Sequence, residues 1–315
     1  MNDVFAAYPA YTPELLDKLA QKPPGNHAPT LIDLMAQAMV SDVSKAAAQQ
    51  AYQKVIRSQA YRNHLQASKA LAGKLGLEPP ARLDLSKLPR YSFYLRVDFR
   101  LKSPWLGRDD RAFSITDNPV RKDRALGLPL IAATTWKGTL RGACRAKCDA
   151  QQQRRLFGPE ADRAAEEEDF KGRLYFYPTF FSAVNLEIIN PHDRERRIGK
   201  NPIKMESVPK GTEGRFAALY VALKRDGPLP EREADFRAEV AADVRAVTAG
   251  CAAMMLELGF SAKRSSGYGE ASQSLVGQLG ILDMPAVPGW QPGFRSLRDM
   301  EHKGTELSEL LGRMP

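Results

Sequence analysis

Residues 91–101 read YSFYLRVDFRL, and their spacing decides the class of fold. Tyr91, Phe93, Leu95, Val97, Phe99 and Leu101 alternate with Ser92, Tyr94, Arg96, Asp98 and Arg100. Period two over eleven residues predicts a strand with one buried face and a polar, partly basic outer face. Outward from it, Leu174 to Tyr177, Phe216 to Leu223 and Ala271 to Val276 are further strand candidates. Phe236, Val240, Val244, Val247, Cys251, Met254 and Leu258 keep helical spacing and predict a helix over Ala234 to Leu258, ended by Gly259. A second helix is expected from about Thr134 to Gln152. The order strand, helix, strands, helix, strand gives an α+β fold with an RRM-like (ferredoxin-like βαββαβ) core.

The flanks read differently. Residues 1–88 form an expected helical extension, rich in Ala, Gln and Lys between Leu31 and Leu77. Leu31, Leu34, Met35, Ala38 and Met39 carry helical spacing, Tyr52, Val55, Ile56 and Tyr61 continue it, and Gly76 with Pro79-Pro80 closes it. The core is expected over 89–282 with a long insertion at about 178–216. Residues 283–315 read as a meandering tail with a short helix around Glu306 to Leu311.

A net charge of +9 and a pI near 9.4 favour a polyanionic partner, because lysine and arginine release counterions from phosphates. The cysteines, Cys144, Cys148 and Cys251, suggest a reducing compartment, small buried side chains and no disulfide framework. No secretory signal pattern and no apolar run of spanning length is visible, so the expected location is cytoplasmic, with no membrane partner.

Chemistry concentrates in two blocks. The first, Ser114 to Arg145, reads SITDNPVRKDRALGLPLIAATTWKGTLRGACR. Thr134 or Thr135 can cap the helix, whose free N–H groups then form an anion site. Lys137, Arg141 and Arg145 follow at four-residue spacing and share a face, while Trp136, Leu140 and Ala143 fall on an apolar one. The second, GFSAKRSSGYGE over 259–270, leaves a helix in a loop of small residues. Lys263, Arg264, Ser265 and Ser266 there can bind phosphate oxygens. Its position after a helix and before a strand excludes a Walker-type loop.

These two blocks, in this order, resemble the RAMP superfamily, the subunits of type III CRISPR effector complexes, over roughly Tyr91 to Val276. The family pattern is Asp-x-Pro-Val, a basic linker, then Pro-x-Ile-Pro-Gly-Ser-Ser-Leu-Lys-Gly-x-x-Arg. Asp117, Lys137, Gly138 and Arg141 match it, whereas Ala132-Ala133-Thr134-Thr135-Trp136 stands where Pro-Gly-Ser-Ser-Leu is common. The resemblance implies a guide (crRNA)-binding subunit whose partners are guide RNA, target RNA and the other subunits of a type III complex. It implies that the insertion, with Arg194, Arg196, Arg197, Lys200 and Lys204, runs along a phosphate chain. It also implies that Asp117 cleaves target RNA, by binding Mg2+ or another divalent metal or by orienting a 2′-OH for in-line attack, as an endoribonuclease.

Alternatives stand beside these readings. Asp before Asn-Pro is also a turn former, and Asp109, Asp110 and Asp123 lie close in sequence. His192 beside Asp193 reads as a turn residue. A non-catalytic capping subunit of the same complex fits the helical N-terminus. A guide-processing endoribonuclease of the same fold is disfavoured by the four histidines, His27, His64, His192 and His302. A generic RRM-like binder would present several aromatics on the sheet, where the outward positions of the first strand supply only Tyr94.

Overall fold

A computed structural model of the chain describes residues 42–109, 115–116, 118–159, 171–189, 203–223, 233–276 and 280–314. In chain order the principal elements are α1 (Asp42–Arg57), α2 (Gln59–Lys74), β1 (Phe93–Arg100), α3 (Ala133–Cys144), α4 (Ala150–Phe157), β2 (Leu174–Phe176), β3 (Asn185–Ile189), β4 (Ile203–Ser207), β5 (Glu213–Tyr220), α5 (Glu233–Ala253), β6 (Gly280–Asp283), β7 (Gly293–Phe294) and α6 (Leu297–Arg313). The fold is a mixture of helix and sheet, α+β, as expected. The chain divides into two compact units, one of Met1–Leu75, Leu106–Leu130 and Phe181–Pro209, the other of Gly76–Trp105, Ile131–Phe180 and Lys210–Pro315. The expected boundaries at 88/89 and 282/283 do not coincide with this division. Residues 76–88 pack on the sheet, and the chain beyond 283 is part of the second unit's core.

That second unit is built on a five-stranded sheet in the order β2-β5-β1-β6-β7. Every neighbouring pair is antiparallel. The period-two reading of β1 holds on its inner face, where Phe93, Leu95, Val97 and Phe99 are fully buried. Register places Phe93 opposite Tyr220 and Val97 opposite Phe216, so aromatic and branched side chains meet across the strands. Phe93 and Tyr220 stack at 4.6 Å between ring centroids.

The outer face departs from the expectation. Instead of facing water, it is covered by the chain at 78–88. Tyr94 is fully buried there among Leu83, Leu85, Leu88, Tyr177 and Leu219, and its hydroxyl donates to Pro80 O (2.8 Å). Arg215 pairs with Asp98 (2.8 Å) and Glu78 (3.3 Å), and Arg96 pairs with Asp98 (2.7 Å). Arg96 and Asp98 of that face are therefore part of a half-buried network under a strap of the same chain, while Arg100 at the strand end stays exposed and pairs with Glu213 (2.8 Å).

Three other expectations are corrected. The helix predicted from Thr134 to Gln152 is two helices, because the Asp149 carboxylate accepts from Gln152 N (2.7 Å) and starts α4 afresh. The strand predicted at Ala271 to Val276 contacts the chain around β1 through single hydrogen bonds, Ser272 N to Arg100 O and Val276 N to Asp98 O, and the strand beside β1 is β6. The expected tail is a β6–β7 hairpin followed by the 17-residue α6. Ser296 caps α6 by accepting from Asp299 N (3.1 Å), and Asp299 accepts from Arg295 N (2.7 Å), so the chain end is locked rather than meandering.

Helix α5 is the spine of the second unit, and its middle carries a buried acid. Asp243 is fully buried and accepts from Arg155 Nε (2.9 Å), Tyr220 OH (2.7 Å) and Gln152 Nε2 (3.1 Å), with Arg173 at 3.6 Å. It ties α4, α5, β5 and the entry to β2 to one carboxylate. Burial and the Asp243 charge push the Tyr220 hydroxyl well above the usual phenol range. Cys144 and Cys251 are buried between α3 and α5, in line with the sequence reading, while Cys148 is half-buried.

In the first unit, Ser58 separates α1 from α2 and caps α2 by accepting from Tyr61 N (3.1 Å). Tyr52, Val55, Ile56 and Tyr61 are buried as the spacing predicts. The apolar run from Leu31 to Met39 lies outside the described residues. Strands β3 and β4 form an antiparallel hairpin within the insertion expected at 178–216. Among the described residues, no helix is long and apolar enough to cross a membrane.

The α5–α6 contact yields a paired test. A Cβ on Gly304 would lie 1.8 Å from Thr248 Oγ1, whereas one on Gly312 meets nothing within 4 Å. Gly304→Ala should therefore destabilise the protein by about 1–3 kcal/mol. Gly312→Ala on the same helix should stabilise it by up to about 1 kcal/mol. Denaturant midpoints of the two variants check both signs.

Candidate nucleic-acid interface

The hydroxyl cap expected for α3 is not formed. The helix begins at Ala133, with Ala132 as N-cap and no side-chain cap. Thr134 and Thr135 lie inside the first turn and are exposed. Trp136 N bonds Ala132 O (3.1 Å), and no capping side chain takes up the N–H groups ahead of it. No acidic residue stands in the first turn. Lys137 instead follows at once, although a cation at the positive end of a helix dipole is unfavourable without an anion. Burial, and next the charge of Arg141, push the Lys137 ammonium below its ordinary value.

Arg141 and Arg145 differ from Lys137. The Arg141 guanidinium reaches the carbonyl oxygens of Phe157 (2.9 Å), Gly158 (2.6 Å) and Pro159 (3.3 Å), satisfying the C-terminus of α4. Its principal work is to hold α4 to α3, a role that spacing alone does not show. Arg145 is exposed at the C-cap of α3, about 12 Å along the axis from Lys137.

The second block sits beside the first because of one aromatic cluster. Trp136, fully buried, lies 5.0 Å from Phe216, 6.1 Å from Phe99 and 5.1 Å from Phe260, and its Nε1 donates to Thr179 Oγ1 (2.9 Å). Phe260 is the second residue of the glycine-rich block, so the first turn of α3 and the loop root share one packing contact.

The loop is closed at its base. Residues Met254–Leu258 wind as a π-helix after α5, and Ala271 N takes Met255 O (2.8 Å). Phe260 N bonds Gly269 O (2.9 Å), Gly269 N bonds Pro104 O (2.8 Å), and Trp105 Nε1 donates to Phe260 O (2.9 Å). Gly269, at φ +71°, must be glycine for a second reason, since a Cβ there would lie 2.8 Å from Ser261 N. At the tip, Arg264–Ser266 form a 3-10 turn. Lys263, Arg264, Ser265 and Ser266 are all exposed on it. Two cations and two hydroxyls on a pinned loop suit phosphate oxygens.

Asp117, Asp110, Arg196, Arg197 and Lys200 lie outside the described residues. The residues flanking Asp117 are described, and they are held. Gln49 Nε2 donates to Ile115 O (3.2 Å), Glu206 N bonds Asn118 O (3.0 Å), and Val120 N donates to Glu206 Oε2 (3.0 Å). The Glu206 carboxylate, only 4% exposed, also accepts from the buried Tyr52 hydroxyl and pairs with Lys122 (3.0 Å). Burial, and next the Glu206 charge, raise the Tyr52 hydroxyl well above the phenol range. Sequence reading missed this cluster because its three members are 52, 122 and 206, with no local pattern.

Asp123 is a turn former, its carboxylate accepting from Ala125 N (3.0 Å) and Leu126 N (2.8 Å). Among the described residues no group of three or more His, Cys, Asp and Glu side chains gathers as a metal donor set.

With the geometry in place, the comparisons decide the family. The RAMP superfamily model matches residues 98–272, more than half of the chain and spanning both blocks. The chain belongs to the RAMP superfamily. No curated protein sequence matches it. Among solved structures, this RAMP protein is similar to a chain of the type III-B Cmr-beta complex bound to cognate target RNA, with 15% identity, 86% of this chain and 91% of that one covered, and a TM-score of 0.46. It is also similar to a chain of the Csm3-Csm4 subcomplex of the type III-A CRISPR-Cas interference complex (15% identity, 68% and 95% covered, TM-score 0.39). A third similarity is to a chain of a type IV-B CRISPR complex (17% identity, 63% and 94% covered, TM-score 0.36).

The buried cluster of this RAMP chain carries its own prediction. Lys122→Met leaves the Glu206 carboxylate buried without its cation and should cost about 3–5 kcal/mol. Adding Glu206→Gln should recover part of that loss, measured as the denaturant midpoint of each variant.

Proposed function

We propose that this RAMP protein is an RNA-binding subunit of a type III CRISPR effector complex, with guide RNA, target RNA and neighbouring subunits as its partners. The carrying observation is the Trp136–Phe260 contact at 5.1 Å, which sets the uncapped first turn of α3 beside the root of the Lys263–Ser266 loop. Lys137, Lys263, Arg264, Ser265 and Ser266 grip the guide backbone in this reading, and Arg145 extends the track along α3. Arg141 orients α4 and acts on RNA only through that support. Net charge and family membership favour RNA over other polyanions.

The proposal includes an RRM-like core. The strands that alternate with α3 and α5 lie in the order β2-β5-β1-β6, all antiparallel, which is the order of a βαββαβ unit. The sheet face that many RRM domains offer to RNA is taken up here by residues 78–88. That favours the helix-and-loop surface over a stacking platform and disfavours the generic binder.

Lys137→Glu with Arg264→Glu should lower guide RNA affinity at least tenfold. The slope of log affinity against log salt should become shallower by about 1.4, for two phosphate contacts to a single strand. Binding of the double variant at the parent's affinity would remove the grip.

Target cleavage is attached to Asp117. In the family resemblance this is the cleaving position, and a divalent metal such as Mg2+ would there activate the attacking hydroxyl. Asp117→Ala in the assembled complex should stop target cutting while guide content stays at the parent level. Undiminished cutting would make the chain a non-catalytic capping subunit.

A further inference from the structure

Helices α1 and α2 carry a charge imbalance that the grip on α3 and the glycine-rich loop does not use. From Val43 to Leu77 the chain has six basic side chains, Lys45, Lys54, Arg57, Arg62, Lys69 and Lys74, and no acidic one. At the chain's own frequency of 37 acidic residues in 315, such a stretch would hold about four. Surface helices ordinarily gain from Glu–Lys pairs one turn apart, and these two forgo every such pair. Glutamine stands at the polar positions instead, at 49, 50, 53, 59 and 66.

The bases gather where α1 turns into α2. Lys54, Arg57 and Arg62 are all exposed at this corner. Arg62 is ordered in place, its guanidinium donating to Arg57 O (2.5 Å) and to Gln59 Oε1 (2.9 Å), while Gln59 Nε2 donates to Asn63 Oδ1 (2.8 Å). Capping the last carbonyls of α1 accounts for Arg62 alone. It does not account for Arg57, whose side chain makes no hydrogen bond or ion pair among the described residues. Arg57, Gln59, Arg62 and Asn63 are exposed together at this corner beside the exposed Lys54, with no carboxylate on either helix after Asp42.

We propose that the α1–α2 corner is a second RNA contact of the chain, taking a phosphate backbone on Lys54, Arg57 and Arg62. Gln59 and Asn63 offer amides to a ribose hydroxyl or base edge. An acidic protein surface is the rival occupant. Protein interfaces centre on apolar side chains, and the exposed leucines Leu71 in α2 and Leu75 at its C-cap stand toward the other end of that helix. A polar, basic patch is the character of a nucleic-acid interface. The inference stands apart from the grip at Lys137 and Arg264.

The test uses the full chain and a labelled long single-stranded RNA, with affinity measured by fluorescence anisotropy across a salt series. Arg57→Gln with Arg62→Gln should lower affinity at least threefold and make the salt slope shallower by about 1.4. The same proportional loss is expected when Lys137→Glu and Arg264→Glu are already present. Lys54→Gln with Arg57→Gln leaves the Arg62 helix-end bond intact and should act alike, so a folding defect cannot mimic the result. Unchanged affinity and slope in both corner variants overturn the proposal, as does unchanged RNA binding with lost subunit assembly. If the Lys137 and Arg264 changes leave binding intact while the corner changes weaken it, the grip fails and the corner stands.

Discussion

The second unit depends on one buried indole. Trp136 has an apolar body that fills the space between Phe99, Phe216 and Phe260, and a single polar atom that must be matched. Thr179 matches it, and the Thr179 hydroxyl donates in turn to Arg215 O on β5. A satisfied Nε1 is the condition for burying so large a ring, and truncating one of this kind costs about 3–5 kcal/mol. Because Trp136 occupies the first turn of α3, its fixed position also fixes the direction in which that turn's N–H groups point. Packing and anion geometry are thus set by the same side chain.

Two buried carboxylates organise the units in a similar way. Asp243 gathers Arg155, Tyr220 and Gln152 around the middle of α5, and Glu206 gathers Tyr52, Lys122 and Val120 N. Each is compensated by cations and by hydroxyl or amide donors, the only arrangement in which a buried charge is tolerable. Their value lies in geometry more than in net stability, since a carboxylate with several donors admits few alternative packings. Glu206 makes α1, a helix the sequence presents as an appendage, a wall of the loop that holds Asn118 and Val120.

Legibility followed the range of the interactions. β1, α5 and the stop at Gly259 were readable because period and capping are local, and the two blocks were readable as family motifs. Burial of Tyr94 was not readable, since it needs residues 78–88 to fold back over the sheet. Thr134 and Thr135 looked like caps because the hydroxyl pattern is right, and the backbone started the helix one residue ahead of them. The role of Arg141 was hidden because its acceptors, 157 to 159, belong to another helix. The α6 helix had a legible signal, Ser296 with Asp299 and then Leu297, Met300, Leu307 and Leu311, which the prolines just before it obscured.

The π-turn at Met254–Leu258 has a consequence for how the chain tolerates change. A π-turn holds one residue more than an α-turn of the same rise, and here the Met255 carbonyl bonds the amide of Ala271. The loop therefore starts in a particular rotational phase about the α5 axis. Removing one residue from 254–258 would restore regular winding and leave the direction of the exit nearly unchanged, because the extra residue is held within the widened turn. Substitutions within this turn are a matter of packing. Its length decides which carbonyl is presented to the Ala271 amide, and a single-codon deletion there would move that anchor by one residue while leaving the direction of the chain nearly as it is.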